Sequence, residues 1–254
     1  MAKPDTKTVH KITVKIWRPI FSALKKKTEA ACLRRDAYLE RVLENELDHL
    51  DQEVALANSQ ASYNYIQGRL DALKDRDPVS LALPLTLTKR LNDICQRKRI
   101  VRDAFFNRLF LMLGASPKVI DRCFFPSVDG DWRAHVWSEW KHEGPFFQNG
   151  FYPLDPVIDP LWAMRAAFDI YAEESSLHDF ICPDSGKTIR VQHTLGGQIE
   201  LPERVYTTIL TKENEKFDLT PFNCYFPDYL IPEHPAQKEH TKLEDLLLLD
   251  LGAS

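Results

Sequence analysis

With 254 residues, 44% of them hydrophobic and 28% charged, the chain has the composition of a soluble globular protein of one large domain or two smaller ones. It contains no apolar run of the roughly eighteen residues a membrane span needs, and its polar, basic start is not a hydrophobic signal segment, so a cytoplasmic protein with no membrane partner is expected. The net charge of −4 hides blocks of opposite sign: +7 over 1–43, −5 over 44–78, +6 over 79–122 and −12 over 123–254. Five scattered cysteines (Cys32, Cys95, Cys123, Cys182, Cys224), none in a C-x-x-C pair, suit reduced thiols.

Residues 1–10, with Lys3 and Lys7, read as a polar arm that could lie along phosphates. From Lys11 the chain alternates. Ile12, Val14 and Ile16 point one way, and Lys11, Thr13 and Lys15 the other, which is the period of a half-buried strand. Pro19 suits the first turn of a following helix, with Ile20, Ala23 and Leu24 inward. A break at Cys32-Leu33-Arg34-Arg35 leads into a second helix carrying Tyr38, Leu39, Val42, Leu43 and Leu47 on one face. Helical spacing then continues through Leu50, Val54 and Ala57 and again through Tyr63, Ile66, Leu70 and Leu73. An acidic helical connector is therefore expected over 51–76, broken at Asp77-Pro78.

A shift of 67 positions superimposes this stretch on the next. Ile12, Val14 and Ile16 fall on Val79, Leu81 and Leu83. Arg35-Asp36-Ala37-Tyr38 falls on Arg102-Asp103-Ala104-Phe105. A strand–helix–helix unit of about forty residues is too small to fold alone, and a second copy would complete its core. The two units coincide with the two basic blocks, as expected of a nucleic-acid surface.

The pattern over about 9–50 and 77–114 resembles the ribbon-helix-helix family of DNA-binding proteins (Arc, MetJ and CopG-like regulators). The resemblance implies paired strands forming an antiparallel ribbon in the DNA major groove, with outward residues reading bases and the start of each second helix on phosphate. Carried across, the readers are Lys11, Thr13 and Lys15 on the first strand and Ser80 and Ala82 on the second, with Arg34, Arg35 and Arg102 as phosphate clamps. Asp36 and Asp103 fall where the family often has a capping Ser. No glycine separates the helices, and the second strand, VSLALP, offers few base-reading groups. The run Arg97-Lys98-Arg99 is either a solvated turn or a further phosphate contact. The strands could pair within one chain, as a pseudo-dimer with one ribbon, or with those of a second chain in a homo-oligomer with two. Intrachain pairing is favoured by the proximity of linked partners.

From Ser116 prolines and aromatics become frequent. Helices are expected over 131–142 and from Pro160 to about Glu174, with a hairpin around Pro183-Asp184-Ser185-Gly186 and a charged, leucine-rich tail from Pro232. The expected architecture is α+β. A duplicated, mainly helical ribbon-helix-helix region (units 1–50 and 77–116, joined by 51–76) precedes an irregular acidic α+β domain over 117–231 and the tail 232–254.

Catalytic signatures are weak. Gly186-Lys187-Thr188 lacks the first glycine of a phosphate loop. His135, Glu139 and His142 share a helical face, but a fourth zinc ligand would have to come from His178 or His193. No nucleophile elbow is present. The expectation is a non-enzymatic, cofactor-free, metal-free protein that binds specific double-stranded DNA, with repression as the commonest role the resemblance implies and a partner or effector on the C-terminal half. The alternatives are an antitoxin, a mobilisation accessory protein, or a scaffold in which the duplicated unit mainly dimerises.

Overall fold

The computed structural model describes residues 8–54, 56–114, 179–181, 188–190, 198–200 and 216–238. The expected helices at 131–142 and 160–174, the His135/Glu139/His142 face and the leucine-rich part of the tail, beyond residue 238, lie outside the described residues. In chain order the N-terminal body comprises β1 (Val9–Trp17), α1 (Arg18–Ala30), α2 (Arg35–Glu53), α3 (Gln60–Ala72), β2 (Arg76–Pro84), α4 (Leu85–Arg97) and α5 (Arg102–Gly114). Further on, β3 (Asp179–Ile181) pairs antiparallel with β4 (Thr188–Arg190), flanking the expected turn, and β5 (Gln198–Glu200) pairs with β6 (Lys216–Asp218). The architecture is α+β, and no described helix is long and apolar enough to cross a membrane.

β1 and β2 form a two-stranded antiparallel ribbon within the chain, with Thr13 opposite Ser80 at its centre. The alternation that defines each strand also sets its faces. Ile12, Val14, Ile16, Val79, Leu81 and Leu83 turn inward and are buried. Both boundaries of β2 and of α4 lie 67 residues after those of β1 and α1, and α5 begins 67 after α2. Asp77 and Pro78, expected to end the connector, stand inside β2. Pro78 is tolerated there because the alternate residues Ser80 and Ala82 turn their backbone groups to the outer edge, so the proline nitrogen removes no ladder bond.

The backbone joints repeat at the same offset. Arg18 N–H donates to Asp75 O at 2.8 Å and Leu85 N–H to Thr8 O at 2.9 Å, so each first helix is seated on the residue preceding the other strand. Between the helices, Cys32 N–H and Leu33 N–H close on Glu29 O and Thr28 O, and Arg99 N–H and Ile100 N–H close on Gln96 O and Cys95 O. These are paired Schellman turns, which place one residue in the left-handed region. The glycine missing from the sequence is replaced by Cys32 at φ 55° and Arg99 at φ 50°.

The helices cross over between units: α1 packs on α5, and α2 on α4. Their apolar stripes meet the inner ribbon face in one core, with Ile20, Leu24, Leu39, Leu43, Leu47, Leu91, Phe105, Phe106, Leu109 and Phe110 among its buried members. Gly114 lets α5 approach α1 closely, since a Cβ there would lie 3.1 Å from Ile20 O and 3.2 Å from Leu24 N.

Two expectations are corrected. The helix from Arg35 does not run on as a connector. It stops at Glu53, and α3 starts afresh with the Ser59 side chain accepting from Ser62 N–H at 3.0 Å. The continuing 3.6-residue spacing arises because both helices bury an apolar face. The segment 218–231, assigned from sequence to a separate C-terminal domain, packs on the helical body: Leu219, Phe222 and Cys224 enter the main core, and Phe226 and Ile231 join Ile66, Leu70, Val101 and Ala104. This layer explains why α5 is buried on every side from Ala104 to Gly114, whereas α2 keeps an exposed face. Asn58, fully buried, ties the layers together. Its Nδ2 donates to Arg99 O at 3.0 Å and Cys224 O at 2.8 Å, and its Oδ1 accepts from Phe226 N–H at 3.0 Å.

Candidate nucleic-acid interface

The residues singled out as base readers fall on one surface. Lys11, Thr13, Lys15 and Ser80 are exposed on the outward ribbon face, and Ala82 is half-exposed among them. Across the ribbon Lys11 faces Ala82, Thr13 faces Ser80 and Lys15 faces Pro78. Each strand contributes every second side chain, so the inward packing of the apolar residues forces these outward.

The expected phosphate clamps are placed differently from one another. Arg34 stands exposed at the N-cap position of α2, with extended backbone and no capping bond from its side chain. Arg35 and Arg102, half-buried, are bonded to the ribbon's outer edges. Arg35 Nη2 donates to Ser80 O at 2.7 Å, and Arg102 Nη2 donates to Thr13 O at 3.0 Å. Beside them, Asp36 Oδ2 accepts from Ala82 N–H at 3.1 Å and Asp103 Oδ2 from Lys15 N–H at 3.2 Å. The two Asp residues therefore do not cap their helices. The Arg-Asp pair at the start of each second helix grips the strand of the other unit through one carbonyl and one amide.

Sequence reasoning missed Asn107. Its Nδ2 donates to Lys15 O at 2.8 Å, and its Oδ1 accepts from Trp17 N–H at 2.8 Å, closing the far end of the β1 edge. The residue 67 earlier is Glu40, and the residue corresponding to Trp17 is Pro84, which has no N–H to satisfy. Side chains of α2 and α5 thus occupy edge groups that would otherwise template another strand. The one available signal was the shared Arg-Asp pair at the 67-residue offset.

The basic run at 97–99 is also structural. The buried Lys98 ammonium caps the end of α2 by donating to Asp51 O and Val54 O. Arg97 pairs with Asp51 at 3.0 Å and Arg99 Nη1 donates to Asn58 O at 2.8 Å. Arg90 pairs with Asp48. Much of the positive charge on α4 is therefore neutralised by α2. At the ribbon end, Arg18 holds Asp77 by two bonds of 3.0 and 3.1 Å, and this hydrogen bonding draws the carboxyl below its usual range. Asp71 is likewise lowered by hydrogen bonds from Gln67 and Arg76, with a smaller contribution from the charge of Lys15.

Among the described residues no group of three His, Cys, Asp or Glu side chains could hold a metal ion. A cleft of about 440 Å³ at the Val9–Pro84 end of the ribbon, beside Thr8, Pro84–Leu87, Glu44 and Arg90, is lined by opposite charges. The assembled site is a two-stranded ribbon with a hydroxyl centre, flanking lysines and an arginine-bearing rim. No family model, curated protein or solved structure matches the chain.

Proposed function

We propose that the chain binds specific double-stranded DNA by laying the β1–β2 ribbon in the major groove, as a tandem ribbon-helix-helix protein whose duplicated units meet within one chain, and that it represses transcription. The observation that carries the proposal is the outward face of the ribbon. Lys11, Thr13, Lys15 and Ser80 stand exposed on a surface two strands wide, a shape the major groove admits. The recurrence of strands, helices and turns at one offset supports the duplication, and the intrachain ribbon supports a pseudo-dimer rather than a paired homo-oligomer. Arg34 is the phosphate contact best placed to reach out, with Arg35 and Arg102 on the rim. In this proposal the protein is cytoplasmic, needs no cofactor or catalytic residue, and carries its partner or effector on the acidic C-terminal half.

A second proposal, an interaction scaffold, draws support from the carboxylates of Asp36 and Asp103 on the rim and from the intramolecular bonds of Arg35 and Arg102. The distinguishing experiment compares duplex from around the protein's own gene with random duplex over a salt series. DNA binding predicts selective affinity falling with log[salt] at a slope of about −0.9 per phosphate neutralised. It also predicts loss of selectivity when Lys11, Thr13 and Lys15 are all changed to Ala, with helicity retained. Weak, unselective binding at every salt, unchanged in the triple variant, would reject it in favour of the scaffold.

A further inference from the structure

The outward ribbon face is not symmetric. Its centre is the facing pair Thr13 and Ser80, which are also related by the 67-residue offset. About that centre Lys11 corresponds to Pro78, and Lys15 to Ala82. Both outward lysines therefore stand on β1, one at each end of the ribbon, and each lies across from an apolar residue: Lys11 from Ala82 and Lys15 from Pro78. The rim repeats the imbalance, because the counterpart of exposed Arg34 is the buried Val101.

Each side chain presents different chemistry to a base pair. A lysine ammonium donates to guanine O6 and N7, a serine or threonine hydroxyl serves either role, an alanine methyl packs on a thymine methyl, and proline has no donor to give. The two halves of a palindrome would meet unlike surfaces, and one half would leave base-edge acceptors without a donor. Stoichiometry follows from the edges. Arg35 and Asp36 bond Ser80 O and Ala82 N–H on the outer edge of β2, and Arg102, Asp103 and Asn107 bond Thr13 O, Lys15 N–H, Lys15 O and Trp17 N–H on that of β1, so a second chain could extend the ribbon past these residues only by displacing them.

We propose that one chain, acting singly, recognises a non-palindromic duplex. Lys11 and Lys15 are four residues apart, so the recognised core spans about 13 Å, or about four base steps. Guanine-bearing pairs lie under the lysines at either end and the Thr13–Ser80 hydroxyls lie over the middle. This assignment rests on the DNA-binding function proposed above and adds the form of the site and the number of chains on it.

The test is selection from a random-sequence duplex library with the full chain, followed by sedimentation of the chain on the selected duplex. The expected result is a non-palindromic core bound by one chain. Lys11→Ala and Lys15→Ala are each expected to relax preference about tenfold, at opposite ends of that core. Pro78→Lys combined with Ala82→Lys places lysine at both symmetry-related pairs and is expected to shift the selected core toward a palindrome; circular dichroism checks that the variants fold. A palindromic core selected by the unmodified chain, or two chains on one core, would overturn this inference while DNA binding stands. No enrichment, together with no salt-dependent duplex binding, would remove DNA binding and the inference with it.

Discussion

Replacing Asn107 with leucine should loosen the ribbon at the point where a proposed reader, Lys15, is held. Asn107 is fully buried, and its amide serves Lys15 O and Trp17 N–H on the β1 edge as well as Asp103 O one turn back along α5 at 2.7 Å. Leucine keeps the same number of side-chain heavy atoms, branched at the same carbon, but offers neither donor nor acceptor. Lys15 O and Trp17 N–H would then face an apolar side chain, and at about 1–3 kcal/mol for each of these two part-buried groups left unpaired the loss comes to at most about 2–6 kcal/mol. Against the roughly 5–15 kcal/mol of a typical domain this is a large fraction. Urea unfolding followed by far-ultraviolet circular dichroism should show a midpoint lowered by about 1–2 M with an unchanged slope. Hydrogen exchange should show lost protection at the Trp17 amide, because its acceptor is gone. A midpoint within about 0.2 M of the parent would refute the argument that this amide closes the ribbon edge.

The other predictions concern turns, layers and acid. Cys32→Gly should raise stability by about 1 kcal/mol, since glycine adopts the left-handed turn without steric cost, whereas Arg99→Gly should not, because it loses the 2.8 Å bond to Asn58 O; paired urea curves decide. Asn58→Ala leaves Arg99 O, Cys224 O and Phe226 N–H without their partner, and should free the 218–231 segment from α3 and α5 before the core melts, seen as early proteolytic cleavage there; cleavage no faster than in the parent would count against it. Among the described residues four carboxyls sit below their ordinary range. For Asp51, burial alone would raise it, but the hydrogen bonds of Lys98 and Arg97 outweigh that. Asp71 is lowered first by Gln67 and then Arg76, and Asp77 first by Arg18. For Asp228, burial is again outweighed, here by the Ser59 and Ser62 hydroxyls. As pH falls, the unfolded chain takes up these protons first, so the stabilisation is present above about pH 4 and is lost as pH drops through the lower folded values. The urea midpoint should therefore fall between pH 5 and pH 2.5, and part of the drop should disappear in Asp228→Asn; a flat profile would contradict the assignment.

The strands and the unit offset were legible because their information is local. A period of two over Lys11–Ile16 and over Val79–Leu83 assigns each side chain to a face wherever the partner strand lies, and the common inward set fixes which face is outward. The Schellman turns were half legible. The break at Cys32–Arg35 was visible, but the left-handed residue was hidden because neither Cys32 nor Arg99 is the glycine that usually marks it. The connector misled because helical spacing records a buried stripe and not continuity, so a break at residues 54–59 leaves the periodicity intact.

What the sequence determined by itself was therefore the two ribbon strands and the helices that start after them, their inward faces and the candidate reading surface of Lys11, Thr13, Lys15, Ser80 and Ala82. Tertiary structure alone decided that the two strands pair with each other, that 218–231 covers α5, and that Asp36, Asp103 and Asn107 hold the ribbon edges. Each of these joins groups far apart along the chain: 46 residues for Asp36 and Ala82, 88 for Lys15 and Asp103, and 166 for Asn58 and Cys224. A hydrogen bond at such separation leaves no periodicity. Its partners are chosen by which backbone groups the packed core leaves unsatisfied, and that is settled only when the helices have crossed.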